Sequence, residues 1–162
     1  MAPMNTVMNE YRNGILQAWR GEQWGRAFFE QLAEATNDPE HRAKWKVLAE
    51  LEEETGNRLA PLLGDDAEPT SAEDFPPVDT AVAAYSRLAW PQALEQMMTI
   101  LDPAIERFRA LLAMAPDEDR ETVQLLFDHE VALKRFAQRE LAGNPETSLE
   151  PVRAVIRRAR AP

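Results

Sequence analysis

The sequence predicts an all-α protein: two helical hairpins joined by a long crossover, followed by a short C-terminal helix. Three observations predict it. Apolar residues recur at helical spacing over long stretches. Cap and turn signals fall between those stretches, and the second hairpin reads as the first written again.

The first helix spans Asn5 to Thr36, with Val7, Tyr11, Ile15, Ala18, Trp19, Phe28, Phe29 and Leu32 at helical intervals. Asn37 and Asp38 supply a turn and an N-cap, and Pro39 suits a first helical position, where its missing N–H costs nothing. The second helix runs to Leu63, carrying Trp45, Leu48, Leu51, Leu59 and Leu62, and Gly64 stops it. Residues 64–80 hold three prolines, six acids and no base, so they read as an exposed crossover linker. Seventeen extended residues reach about 55 Å, more than the roughly 37 Å length of a 25-residue helix. The third helix is expected over Asp79 to Ala115, with interruptions at Pro91 and Pro103 and an internal cap at Asp102 that places a break near Leu101. Pro116 and Asp117 make the next turn, and a fourth helix runs from Glu118 to Ala142 before Gly143. The hairpins thus occupy about 5–63 and 79–142. The tail, 144–162, adds a turn and a short basic helix, expected to be a solvated end that folding does not need.

Laid on the first half, the second places Leu94 on Ile15, Met98 on Trp19, Phe108 on Phe29, Asp117 on Asp38 and Gly143 on Gly64. With one residue dropped in the second turn, Leu126 falls on Leu48 and Glu130 on Glu52. Agreement at turns as well as core positions favours two hairpins about a pseudo-twofold axis.

Composition narrows the functions. The 162 residues suit one compact domain, 1–162, without covalent staples. There is no cysteine, which excludes disulfides, thiolate nucleophiles and thiolate-bound zinc or iron–sulfur centres. Net charge is −10, and an acidic body repels nucleic acid and anionic membrane, so neither is expected as a partner. The exception is the end of the tail, where Arg153, Arg157, Arg158 and Arg160 suit the negative pole of a helix. No basic stretch followed by an apolar run opens the chain, and no segment approaches the roughly 20 apolar residues of a membrane span. A cytoplasmic location is expected.

Glu22 followed by Phe29, the set Leu48, Glu52, Thr55 and Leu59, and the run from Asp128 to Phe136 in the fourth helix give the chain a resemblance to the ferritin-like superfamily, its rubrerythrin-like members above all. The resemblance covers about residues 5–142. It implies a four-helix bundle whose centre holds two metals, each gripped by a carboxylate from one helix and a Glu-x-x-His pair from another. Carried over residue by residue, the first hairpin offers Glu22 and Glu52, but Thr55 stands where a histidine is implied. The second offers Leu101 in place of a carboxylate, then Glu130 with Leu133 in place of the second histidine. His41 lies about three turns from Glu52, and His129 points about 100° around the helix from Glu130, so no Glu-x-x-His pair exists. Leu101 leaves open a substitute carboxylate from Glu95 or Glu106.

No cofactor is expected; the alternative is one divalent cation, magnesium, manganese or iron, at the implied residues Glu22, Glu52 and Glu130, an all-oxygen set that suits a single hard ion better than an iron pair. The same glutamates read equally as solvated groups or as partners of Arg20, Arg26 and Arg109. Gly21, Gly25 and Gly56 leave small residues at mid-bundle, read either as close helix packing or as room for a small-molecule ligand lined by Trp19, Trp24, Phe28, Met97 and Met98. Two apolar stripes on the first helix, Tyr11–Ile15–Trp19–Phe29 and Val7–Trp24–Phe28, predict a homodimer unless the linker and C-terminal helix cover the second. Three functions compete: a binding or assembly module built on a ferritin-like bundle that has lost its dinuclear iron site, a carboxylate-bridged di-metal oxidase or peroxidase with atypical ligands, and a small-molecule binder using the mid-bundle space.

Overall fold

A computed structural model describes residues 3–66 and 75–162. These residues form six α-helices and no strand: α1 (Met4–Glu34), α2 (Pro39–Leu63), α3 (Val78–Ser86), α4 (Trp90–Met114), α5 (Arg120–Leu141) and α6 (Glu150–Arg160). The central part of the expected crossover, 67–74, lies outside the described residues. No described helix is long and apolar enough to cross a membrane.

The α1–α2 turn forms as its residues dictate. The Asp38 side chain accepts a hydrogen bond from the His41 backbone N–H at 3.0 Å, and Pro39 occupies the first turn. Gly143 takes φ +82°, which a side chain disfavours. Around it the N–H of Gly143 bonds the Glu140 carbonyl and that of Asn144 bonds the Arg139 carbonyl, a Schellman stop that satisfies two end carbonyls of α5.

The helix expected over Asp79–Ala115 is broken once, and not near Leu101. α3 ends at Ser86 and α4 restarts at Trp90, with Pro91 in its first turn and the Gln92 side chain accepting from the Ala89 N–H at 3.2 Å. A proline in a new first turn loses no hydrogen bond, so the break is cheap there. Pro103 stays inside α4, on its exposed side. Asp102 caps nothing and instead pairs with Lys134 of α5 at 2.6 Å.

α1 packs along α2 and α4 along α5; α1 also meets α3 and α4, and α2 meets α5. Two apolar clusters fill the interior. One gathers Phe28, Phe29, Trp45, Leu48, Leu101, Leu133 and Phe136, and the other Tyr11, Ile15, Leu59, Leu111, Val123 and Leu126.

The tail differs from the sequence expectation. α6 lies against α5 and α2 and buries Val152, Val155, Ile156 and Ala159 in the first cluster. Its arginines meet acids of the bundle: Arg158 pairs with Asp128 at 2.8 Å, and Arg160 with Glu54 at 3.0 Å and with Glu50. An amphipathic face over acidic neighbours makes this segment a packed helix, not a solvated end.

Trp24 and Phe28 of the second stripe of α1 are likewise covered. Trp24 stacks on Phe28 and Phe75 and donates to the Pro76 carbonyl at 2.7 Å, and Tyr85 of α3 meets Phe28 edge-on.

Candidate metal centre

Between the two apolar clusters lies a layer of buried polar side chains. Along α1 it falls after Ala18 and before Phe28, along α2 between Leu51 and Leu59, and along α5 between Leu126 and Leu133. The layer contains Glu22, Glu52, Thr55, His129 and Glu130, exposed to 2%, 6%, 1%, 0% and 8%. Such groups need partners, because an unpaired buried charge costs several kcal/mol.

Glu22, Glu52 and His129 meet. One donor atom from each lies within 4.8 Å of the other two, an arrangement that can hold a metal ion. Nδ1 of His129 is 3.2 Å from Oε2 of Glu22, and Nε2 is 3.4 Å from Oε1 of Glu52. Thr55 Oγ1 is 2.6 Å from Oε2 of Glu22, 2.9 Å from Nδ1 of His129 and 2.9 Å from the Leu51 carbonyl oxygen. Nε2 of His129 is fully buried and has no hydrogen-bond partner among the described residues.

Glycines make room for the group. A Cβ on Gly25 would stand 2.7 Å from Cδ of Glu52, so the Glu52 carboxyl rests on the α1 backbone. A Cβ on Gly56 would come to 3.4 Å from Cβ of Glu22, and Gly21 faces the Phe75 ring. The space expected for a small molecule is thus occupied at Gly25 by the Glu52 carboxyl and at Gly21 by an aromatic edge. An open groove of about 700 Å³ lies at the end of the bundle instead, lined among others by Met8, Tyr11, Ile15, Leu62 and Pro116.

The electrostatics follow from burial and proximity. Burial pushes the Glu22 carboxyl up, but the charge and hydrogen bond of His129 bring it below its ordinary value. Glu52 is held well above the carboxylate range, by burial first and by the negative charge of Glu22 second. Burial opposes charge on His129, yet Glu22 and Glu52 raise it well above 6.5. These directions favour charge on His129 and Glu22 and a proton on Glu52. Glu130 is raised to about 7, chiefly by burial, with His129 and Arg107 pulling it down and Glu22 pushing it up.

Of the residues implied for metal, Glu22 and Glu52 stand together, whereas Glu130 is buried nearby without joining the set of adjacent donors. Glu95 and Glu106 are exposed on α4 and do not replace Leu101. Arg26 pairs with Glu30 and Glu53, and Arg109 with Glu106, so neither neutralises Glu22 or Glu52. His41 stacks on Trp90 at 3.7 Å, away from the centre.

His129 is the residue that sequence reasoning missed. Tested only against Glu130 on its own helix, it points elsewhere; its partners come from α1 and α2. A signal was present, since Leu125, Leu126, Ala132, Leu133 and Phe136 surround it at three- and four-residue spacing, and a histidine on that stripe faces the core. Comparison with protein-family models, curated proteins and solved structures finds no match for this chain.

Proposed function

We propose that this chain is a metal-binding protein of ferritin-like architecture, holding one divalent transition-metal ion at Glu22, Glu52 and His129 and no dinuclear iron pair. The observation that carries the reading is the buried Nε2 of His129, which makes no hydrogen bond although it stands 3.4 Å from Oε1 of Glu52, beside two buried carboxyl groups. The 3.4 Å between Nε2 and Oε1 of Glu52 equals the edge of a tetrahedron with bonds of about 2.1 Å, a common metal–nitrogen and metal–oxygen length. One imidazole and two carboxylates suit zinc, manganese or ferrous iron better than magnesium or calcium.

Two further observations support a single ion. Leu101 and Leu133 stand where a second ion would need a carboxylate and a histidine, and both are buried in the apolar cluster. Thr55 Oγ1 already lies in hydrogen-bond contact with Glu22 Oε2 at 2.6 Å and His129 Nδ1 at 2.9 Å, so it stands in for no missing ligand. The ferritin-like reading is supported by the pairing of α1–α2 with α4–α5 and by the side-by-side contact of α2 with α5.

Metal analysis of protein purified without chelator or nickel resin, then titrated with zinc, manganese and ferrous ions, tests the reading. One equivalent per chain is expected, lost in Glu52→Gln and His129→Ala. Two iron equivalents with an oxo-bridge band in the near ultraviolet and oxygen consumption would instead establish the oxidase. Binding of no ion at micromolar concentration would leave the group as an internal ion pair.

A further inference from the structure

Thr55 occupies the position, three residues after Glu52, at which the ferritin-like pattern places a histidine; the imidazole at this centre comes instead from α5. The hydroxyl lies among three groups at once: Oε2 of Glu22 at 2.6 Å, Nδ1 of His129 at 2.9 Å and the Leu51 carbonyl oxygen at 2.9 Å.

A threonine hydroxyl has one proton to give and lone pairs to receive with, whereas a carboxylate and a carbonyl only accept. At 2.6 Å the contact with Glu22 requires a proton between the oxygens, and an ionised acceptor makes the stronger bond, so Oγ1 donates to Glu22. Giving the proton to Nδ1 would leave two bare oxygens in contact. Oγ1 must therefore accept from His129, and Nδ1 must carry the hydrogen. In neutral imidazole the lone pair then belongs to Nε2, the ring nitrogen that makes no hydrogen bond, 3.4 Å from Oε1 of Glu52.

We infer that Thr55 is a positioning residue that fixes the ring nitrogen His129 offers to the ion, holding Nδ1–H so that Nε2 coordinates, and thereby tilts the site toward ions that take nitrogen. The inference rests on the metal-binding reading above and adds a role to a residue outside the ligand set. Hydrogen bonds behind a ligating histidine set its tautomer and orientation, and losing one weakens binding roughly ten- to hundredfold. In Thr55→Val the Nδ1–H is left to Oε2 of Glu22 at 3.2 Å, which diverts a ligand oxygen from the ion.

Two measurements on the full chain test this. Cobalt and zinc titrations of wild type, T55V and T55S read affinity, and nitrogen NMR of histidine-labelled protein reads the proton on His129; the chain has two histidines, so the variant H41Q assigns the signals. We expect T55V to bind roughly ten- to hundredfold more weakly, T55S to bind like wild type, and, on metal addition, Nδ1 of His129 to keep its proton while Nε2 carries none. Unchanged affinity in T55V, or an unprotonated Nδ1 in wild type, overturns the role of Thr55 and leaves the metal site standing. Failure of the wild-type chain to bind either ion removes the site and this role together. The wild-type nitrogen spectrum decides the tautomer even if T55V does not fold.

Discussion

The carboxyl carbon of Glu52, on α2, lies where a Cβ on Gly25 of α1 would come to 2.7 Å, so the absence of a side chain at residue 25 makes the seat for the carboxyl at residue 52. Gly25→Ala therefore sets two effects against each other. Alanine in a helix interior adds roughly 0.5–1 kcal/mol over glycine, while its methyl pushes the end of a flexible side chain away from His129. We expect thermal stability unchanged or slightly raised and metal affinity lowered, read by melting in chelator and by zinc titration. A variant that melts as wild type and binds as wild type would remove Gly25 from the site.

The Glu130 carboxyl gives the chelated protein a measurable pH dependence. Its folded value of about 7 exceeds its ordinary 4.5, so the folded state holds the proton more tightly than the unfolded chain. The stability this adds is complete below about 4.5 and is lost as pH rises through about 7, a change of roughly 3 kcal/mol. Glu130→Gln should flatten the slope between those values and unfold at higher denaturant than wild type at pH 8. The slope is not abolished, because Glu52 is raised in the same sense. Urea unfolding at several pH values checks both.

At the end of the bundle near the α1–α2 turn, Lys44 of α2 is buried with its Nζ 2.6 Å from Oε2 of Glu140 and 3.0 Å from the Pro145 carbonyl, while Trp90 donates to the other Glu140 oxygen at 2.8 Å. Lys44→Met leaves a buried carboxylate without its cation and is expected to cost about 3–5 kcal/mol. The double variant with Glu140→Gln, which keeps an acceptor for Trp90, should recover much of that loss. A single variant as stable as the double would show that the pair is not coupled.

Deleting 144–162 should abolish the cooperative fold. Val152, Val155 and Ile156 are buried in the larger cluster, at about 2 kcal/mol for each aliphatic side chain. Their joint loss approaches the total stability of an ordinary domain, about 5–15 kcal/mol. The truncation also removes the Pro145 carbonyl that holds Lys44. A sharp melt of the truncated chain, close to the wild-type midpoint, would contradict this.

The helices themselves were legible in the residues, because their information is local. Asp38 with Pro39, Gly64 and Gly143 set ends through backbone capping and φ, and three- and four-residue periodicity sets the buried faces. Glu22 and Glu52 were singled out by the resemblance to the ferritin-like pattern, not by periodicity. Where the chain breaks was less legible: Pro91 and Pro103 look alike in sequence, yet one opens a helix and the other rides on the exposed side of α4. The tertiary structure alone decided three things. It laid α6 on α2 and α5, it covered Trp24 with Phe75 and Phe28 with Tyr85, and it brought His129 to Glu22 across α1 and α5. Periodicity says which face of a helix is buried but not what lies opposite, since that depends on how separate helices are rotated and staggered against one another. A buried Glu–Glu–His group assembled from one residue on each of three helices is a property of that packing.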